Sequence, residues 1–265
     1  MRSSAALPPH LHYSLKRIFC MSWLVAGACS LPLRPVYAQQ RPVVLAEFNY
    51  AMGVPGGDLA QRFGSHLAIG GGVGFHPGKR KFHLGIRGSV FFGQTVKEDV
   101  IAPFRTSQYG LLIGADQLLA EMKLRERAWL LCLNGGGLIA LRESPSSHAQ
   151  LKWQLGLGFI EHSIRFVDDA SALPQFDENL IQGLDRLSNG LAVVPAVGFE
   201  HLSKSGGLSY YAGVETILGF TRNQRSYHYD LGISELGKSR LDLMWQLRIA
   251  LYLPFHLGDA DDVEY

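Results

Sequence analysis

Ser239 to Phe255 reads SRLDLMWQLRIALYLPF, and every second residue from Leu241 onward (Leu241, Leu243, Trp245, Leu247, Ile249, Leu251, Leu253, Phe255) is large and apolar. Between them stand Arg240, Asp242, Gln246, Arg248 and Tyr252. A period of two sends alternate side chains to opposite faces of a strand. Eight bulky apolar groups on one face suit hydrocarbon better than water, and a strand needs roughly 9–11 residues to cross a bilayer core. The segment therefore predicts a transmembrane β-strand.

The same alternation recurs upstream. Val44, Ala46, Phe48, Tyr50 and Met52 form one such face, and Leu67, Ile69, Val73 and Phe75 another, interleaved with Gly70, Gly72 and Gly74. Phe82, Leu84, Ile86, Val90 and Phe92 follow the Pro77-Gly78 turn, and Leu151 to Phe159, Leu191 to Phe199 and Leu208 to Phe220 repeat the pattern. With 30 glycines, 11% aromatic residues and no long apolar helix-like run after residue 38, the chain predicts an all-β, antiparallel transmembrane β-barrel. A water-soluble barrel would alternate too, but the glycines and charges on the second face fit a narrow lumen filled by side chains.

Single-chain bacterial barrels use even strand numbers. Ten strands are preferred, near 43–53, 65–76, 81–92, 105–115, 117–125, 127–141, 149–166, 189–201, 207–220 and 239–255. The alternative of eight merges 105–125 and moves 149–166 into a loop. Residues 168–188 and 221–238 carry no period of two and read as long polar loops, the first with room for one helical turn.

Residues 1–38 read as a signal peptide: Lys16 and Arg17 precede the apolar run from Ile18 to Ala28, and Val36-Tyr37-Ala38 offers a cleavage site. The expected domains are this signal, a barrel over 39–255 and a short acidic tail over 256–265. Without the signal the formal charge changes from +2 to −2, because Arg2, Lys16, Arg17 and Arg34 leave with it. No basic stripe of the kind nucleic acid requires remains. Cys132 is the one cysteine beyond the signal, which excludes an intrachain disulfide there.

The patches Glu47 to Leu59 (EFNYAMGVPGGDL), Gln182 to Gly190 (QGLDRLSNG) and Tyr211 to Glu215 (YAGVE), with the closing strand, resemble small outer-membrane β-barrel proteins of the Bacteroidota. The aromatic-ended strand also resembles the closing strand that the outer-membrane assembly machinery reads. The resemblance implies the cell outer membrane as location and outer-membrane lipid as surroundings. It further implies a role as accessory or structural subunit of a larger complex for protein insertion or type IX secretion, and it brings no catalytic residues.

The sequence offers little chemistry of its own. Asp58, Ser65 and His66 could form a hydrolytic site, yet they also fit a solvated loop and a strand start. His76, His83, His162, His201 and His228 lack the spacing of a structural metal site. The Gly70 to Gly74 run has no Lys-Ser/Thr after it and lies within strand alternation, so it is not read as a phosphate loop. No cofactor or metal is expected. On the inward face Glu47, Arg87, Lys152, Glu200, Glu215, Arg240, Asp242 and Arg248 mix both signs. Buried charges require partners, so these residues predict ion pairs that seal the lumen. The expected function is a non-enzymatic outer-membrane barrel, with a narrow small-solute channel and, behind it, an outer-membrane hydrolase as alternatives.

Overall fold

The computed structural model describes residues 42–77, 81–144, 147–203 and 206–257. The expected signal peptide and most of the acidic tail lie outside these residues.

Eight strands close into a ring. They are β1 (Val43–Gly57), β2 (His66–His76), β3 (Phe82–Gly93), β6 (Lys123–Ser144), β7 (Ser147–Val167), β8 (Ser188–Ser203), β9 (Ser209–Asn223) and β10 (Ser239–His256). Their order around the wall is β1-β10-β9-β8-β7-β6-β3-β2, antiparallel throughout. The wall strands run from 11 to 22 residues, enough to cross a bilayer core even when tilted.

The ten-strand expectation is corrected here. Residues 105–122 supply only β4 (Leu112–Ile113) and β5 (Leu119–Ala120), a two-stranded ribbon outside the ring, residues 123–125 open wall strand β6, and residues 149–166 lie within wall strand β7. The reason is local. Alternation at Tyr109, Leu111 and Ile113 covers five residues, half of what a span needs, and Gly110 and Gln117 take positive φ and turn the chain. Leu112 and Met122 are buried with Val100 and Ile101 in a loop core rather than displayed on a wall. The eight-strand alternative has the right number but would have discarded the wrong segment.

Alternation decides which way each wall side chain faces. Trp245, Leu247, Ile249 and Leu251 stand outward and exposed, while Asp242, Met244, Gln246 and Arg248 between them are buried. An eight-stranded ring is just wide enough for side chains to fill, and glycine decides how large residues fit. A Cβ on Gly198 would stand 2.5 Å from the Ala212 carbonyl oxygen and 2.6 Å from Tyr211 Cζ. The Tyr211 ring thus occupies space that the glycine leaves open.

The two ends differ. At one, the connections 77–81, 145–146 and 204–208 are short. At the other, residues 58–65, 94–122, 168–187 and 224–238 form four longer connections holding α1 (Leu59–Arg62), a 3-10 turn (Ala102–Phe104), β4, β5 and α2 (Glu178–Gln182). The helical turn expected in 168–188 is α2, started by the Asp177 side chain accepting from the Leu180 amide. Leu59, Phe63, Ile101, Leu112 and Leu184 are fully buried at this end, so the connections fold into a cap with its own core.

Candidate functional site: a sealed lumen under a folded cap

Strand periodicity stacks the inward polar residues in three layers. Nearest the short turns, Glu200 of β8 accepts from Lys152 Nζ at 2.7 Å and from Gln150 Nε2 at 2.6 Å, both on β7. Lys152 Nζ also lies 3.3 Å from the Tyr252 hydroxyl of β10. Three strands of the wall, β7, β8 and β10, thus contribute to one carboxylate–ammonium pair.

The central layer crosses the lumen. Glu215 of β9 forms an ion pair with Arg87 Nη2 of β3 at 2.8 Å, accepts from Gln246 Nε2 of β10 at 2.6 Å, and lies 3.4 Å from Arg248 Nε. Arg248 in turn donates through Nη1 to Glu47 of β1 at 2.5 Å, and its guanidinium sits 4.4 Å from the centre of the Tyr211 ring. The Arg87, Glu215 and Arg248 side chains are buried to within a few per cent, so these charges are stabilised by one another and not by water.

Above it lies an apolar layer of Phe91, Ala128, Ile160, Ile217 and Met244, all buried. Next comes Asp242 of β10, which accepts from the Thr221 hydroxyl, pairs with His162 Nε2 at 2.8 Å and lies 3.4 Å from Arg240 Nη2. Arg240 also donates to the Asp58 carbonyl at 2.9 Å and so ties this layer to α1.

The cap repeats the arrangement at loop level. Glu98 receives Arg62 Nε at 3.0 Å and Arg186 Nε at 2.6 Å, and Arg186 Nη2 reaches Asp230 at 2.5 Å. Arg62 donates further to the Arg186 carbonyl at 2.9 Å. One carboxylate from connection 94–122 thereby joins arginines from 58–65 and 168–187, and Asp230 brings in 224–238. Burial pushes the Glu98 carboxyl up, but Arg62 and Arg186 outweigh it and hold the group below its ordinary value. Burial, with Arg240 nearby, brings the Arg62 guanidinium down to about 10.

All eight lumen residues anticipated from sequence lie on the inward face, in three separate layers and not in one network. His162, Thr221 and Tyr211 were missed, although each shares its strand's inward phase with an anticipated residue, and Tyr252, placed on the inward face of the closing strand, was not counted among the charges it meets. Arg62, Glu98, Arg186 and Asp230 carry no period and had no sequence signal. Asp58, Ser65 and His66 do not assemble: Asp58 binds the Leu241 amide at 2.9 Å, Ser65 is exposed, and the buried His66 ring packs edge-on against Phe91 with neither residue as a hydrogen-bond partner. Among the described residues no group of three or more His, Cys, Asp or Glu is placed to hold a metal ion.

The outer surface is apolar between two aromatic zones. Trp129 and Phe159 pair at 5.6 Å towards the cap end, with Phe92 and Trp245 also exposed, while Phe75, Phe199 and Phe255 lie towards the turns. An apolar belt between aromatic girdles around a polar interior is the surface of a membrane-spanning barrel. The location that it fits is the cell outer membrane, where short turns face the periplasm and long connections face outward.

The chain matches no protein-family model and no curated protein. Among solved structures it is similar to Neisserial surface protein A (9% identity, 79% of this chain and 96% of that one, TM-score 0.37). It is also similar to the attachment invasion locus protein of Yersinia pestis (8%, 81% and 99%, 0.37). The outer membrane protein OprG of Pseudomonas aeruginosa is a third (12%, 84% and 100%, 0.36). The assignment as a barrel rests on the strand pairing described above.

Proposed function

We propose that the protein is a non-enzymatic, non-conducting barrel of the outer membrane that serves as an accessory or structural subunit of a larger complex, for protein insertion or secretion of the type IX kind. Membership among the Bacteroidota barrels is part of this reading. The observation that carries it is the lumen itself: Arg87, Glu215, Arg248 and Glu47 bridge opposite walls, an apolar layer lies above them, and a folded cap closes the outer end. Conduction needs a continuous wetted path, and each of these layers interrupts one.

The surface left for work is the cap. Connection 224–238 exposes Tyr227, Tyr229, Leu231, Ile233 and Leu236, an unusual apolar density for a solvent-facing loop. A protein partner in the same membrane would cover it.

Two experiments test the proposal. Planar-bilayer recordings of the purified barrel should show no discrete conductance steps; resolved unitary steps would return the narrow-channel reading. Tagged protein drawn from mild-detergent membranes should bring a stoichiometric partner, and a solitary monomer would remove the accessory role.

A further inference from the structure

We infer that the cap-end rim of β6 and β7 binds the phosphate headgroup of an anionic membrane lipid. The outward face of β6 reads Lys123, Arg125, Arg127 and then Trp129, Leu131 and Leu133, so three cations stand directly beyond the apolar belt. Arg125 is four residues from Trp129, about 13 Å along the strand at ~3.3 Å per residue. That distance places it at headgroup depth.

Lys123 is paired with Asp169 at 2.6 Å. Arg125, Arg127 and the exposed Arg165 of β7 take part in none of the ion pairs found among the described residues. Arg125 and Arg165 face each other directly across the β6–β7 pair, with Arg127 one step further along the same face. Opposed side chains in an antiparallel pair stand roughly 4.5–5.5 Å apart at Cβ, where like charges repel. Three unpaired guanidinium groups so placed call for an anion.

The neighbouring strands say what kind. Arg127 is level with Phe92 of β3, and the same oblique row continues through Leu67 of β2 to Met52 of β1. All of these side chains are exposed. A phosphomonoester supplies between one and two negative charges and oxygens matched to the guanidinium fork. A lipid carrying it has acyl chains to lay along Phe92 and Leu67. Free phosphate would use the arginines alone, so the apolar row favours the lipid.

Trp129 lies beside the site and, in a chain whose other three tryptophans are changed to Phe, reports on it. The full chain is reconstituted in phosphatidylcholine vesicles, and tryptophan quenching by brominated phosphatidic acid is compared with quenching by brominated phosphatidylcholine. Phosphatidic acid is expected to be preferred, with the preference falling roughly fivefold for each arginine removed in the series R125Q, R125Q/R127Q and R125Q/R127Q/R165Q. R222Q, an exposed arginine change on β9, should leave it intact. Retention of the preference by the triple variant, equal quenching by both lipids, or displacement of the lipid by millimolar inorganic phosphate would each overturn the proposal. Gel mobility before and after heating confirms that each variant is folded.

Discussion

Replacing Glu215 with Leu isolates what the central layer contributes. The Glu215 carboxylate receives Arg87, Gln246 and Arg248, with its side chain and that of Arg87 almost wholly out of solvent. Arg248 would keep Glu47 at 2.5 Å. Among the described residues Arg87 would keep only the Cys132 sulfur at 4.0 Å, too weak an acceptor to hold a guanidinium. Leaving one buried charge without its partner costs about 3–5 kcal/mol, a shift of about a thousandfold in the folding equilibrium. The assay is reversible urea unfolding in detergent micelles, followed by the heat-dependent shift in gel mobility that distinguishes folded from unfolded barrel. Adding Arg87→Met to Glu215→Leu should recover more than half of the loss, because the stranded charge is then gone. A cost below about 1 kcal/mol for the single change, or no recovery in the double, would refute the claim that Arg87 depends on Glu215.

Two further outcomes follow from other features of the wall and the cap. Gly198→Val should destabilise the barrel by about 1–3 kcal/mol, because its Cβ would meet the Ala212 carbonyl and the Tyr211 ring; an unchanged urea midpoint would show that the Tyr211 ring does not need the space. In the cap, burial and the Arg186 charge lower the pKa of His228. The folded cap therefore binds fewer protons than the unfolded one, so its stability holds at neutral pH and declines as pH falls below about 6.5. Hydrogen exchange at the Tyr229 amide, which donates to the Gly183 carbonyl, should quicken over that range, and exchange insensitive to pH beyond its intrinsic chemistry would contradict this.

Wall strands were legible because a wall side chain has two choices, lumen or lipid, and a period of two records the choice. Arg248 and Leu247 are adjacent in sequence and opposite in surroundings, and the alternation alone separates them. Even Tyr211 and His162, which the reading passed over, sit in the phase that the charges already marked. The cap was opaque for the opposite reason. Arg62 meets Glu98 and Arg186 across separations of 36 and 124 residues, and no local pattern encodes such contacts. The same opacity produced the surplus strands, since Leu111 and Ile113 alternate for a few residues like a wall strand although Leu112 beside them is claimed by the loop core.

The β1–β10 seam pairs Val43 with His256 and continues to Gly57 with Asp242. It is as long and as regular as the joins between strands that are consecutive in the chain. The ring therefore has no structural beginning: a linker across Val43 and His256, with the opening moved to the short connection between β2 and β3, would preserve every strand neighbour. What such a rearrangement would alter is the order in which strand edges become available for pairing, because an unfinished ring leaves two edges exposed wherever it starts. The seam thus fixes the route by which the wall is completed while leaving the completed wall indifferent to it.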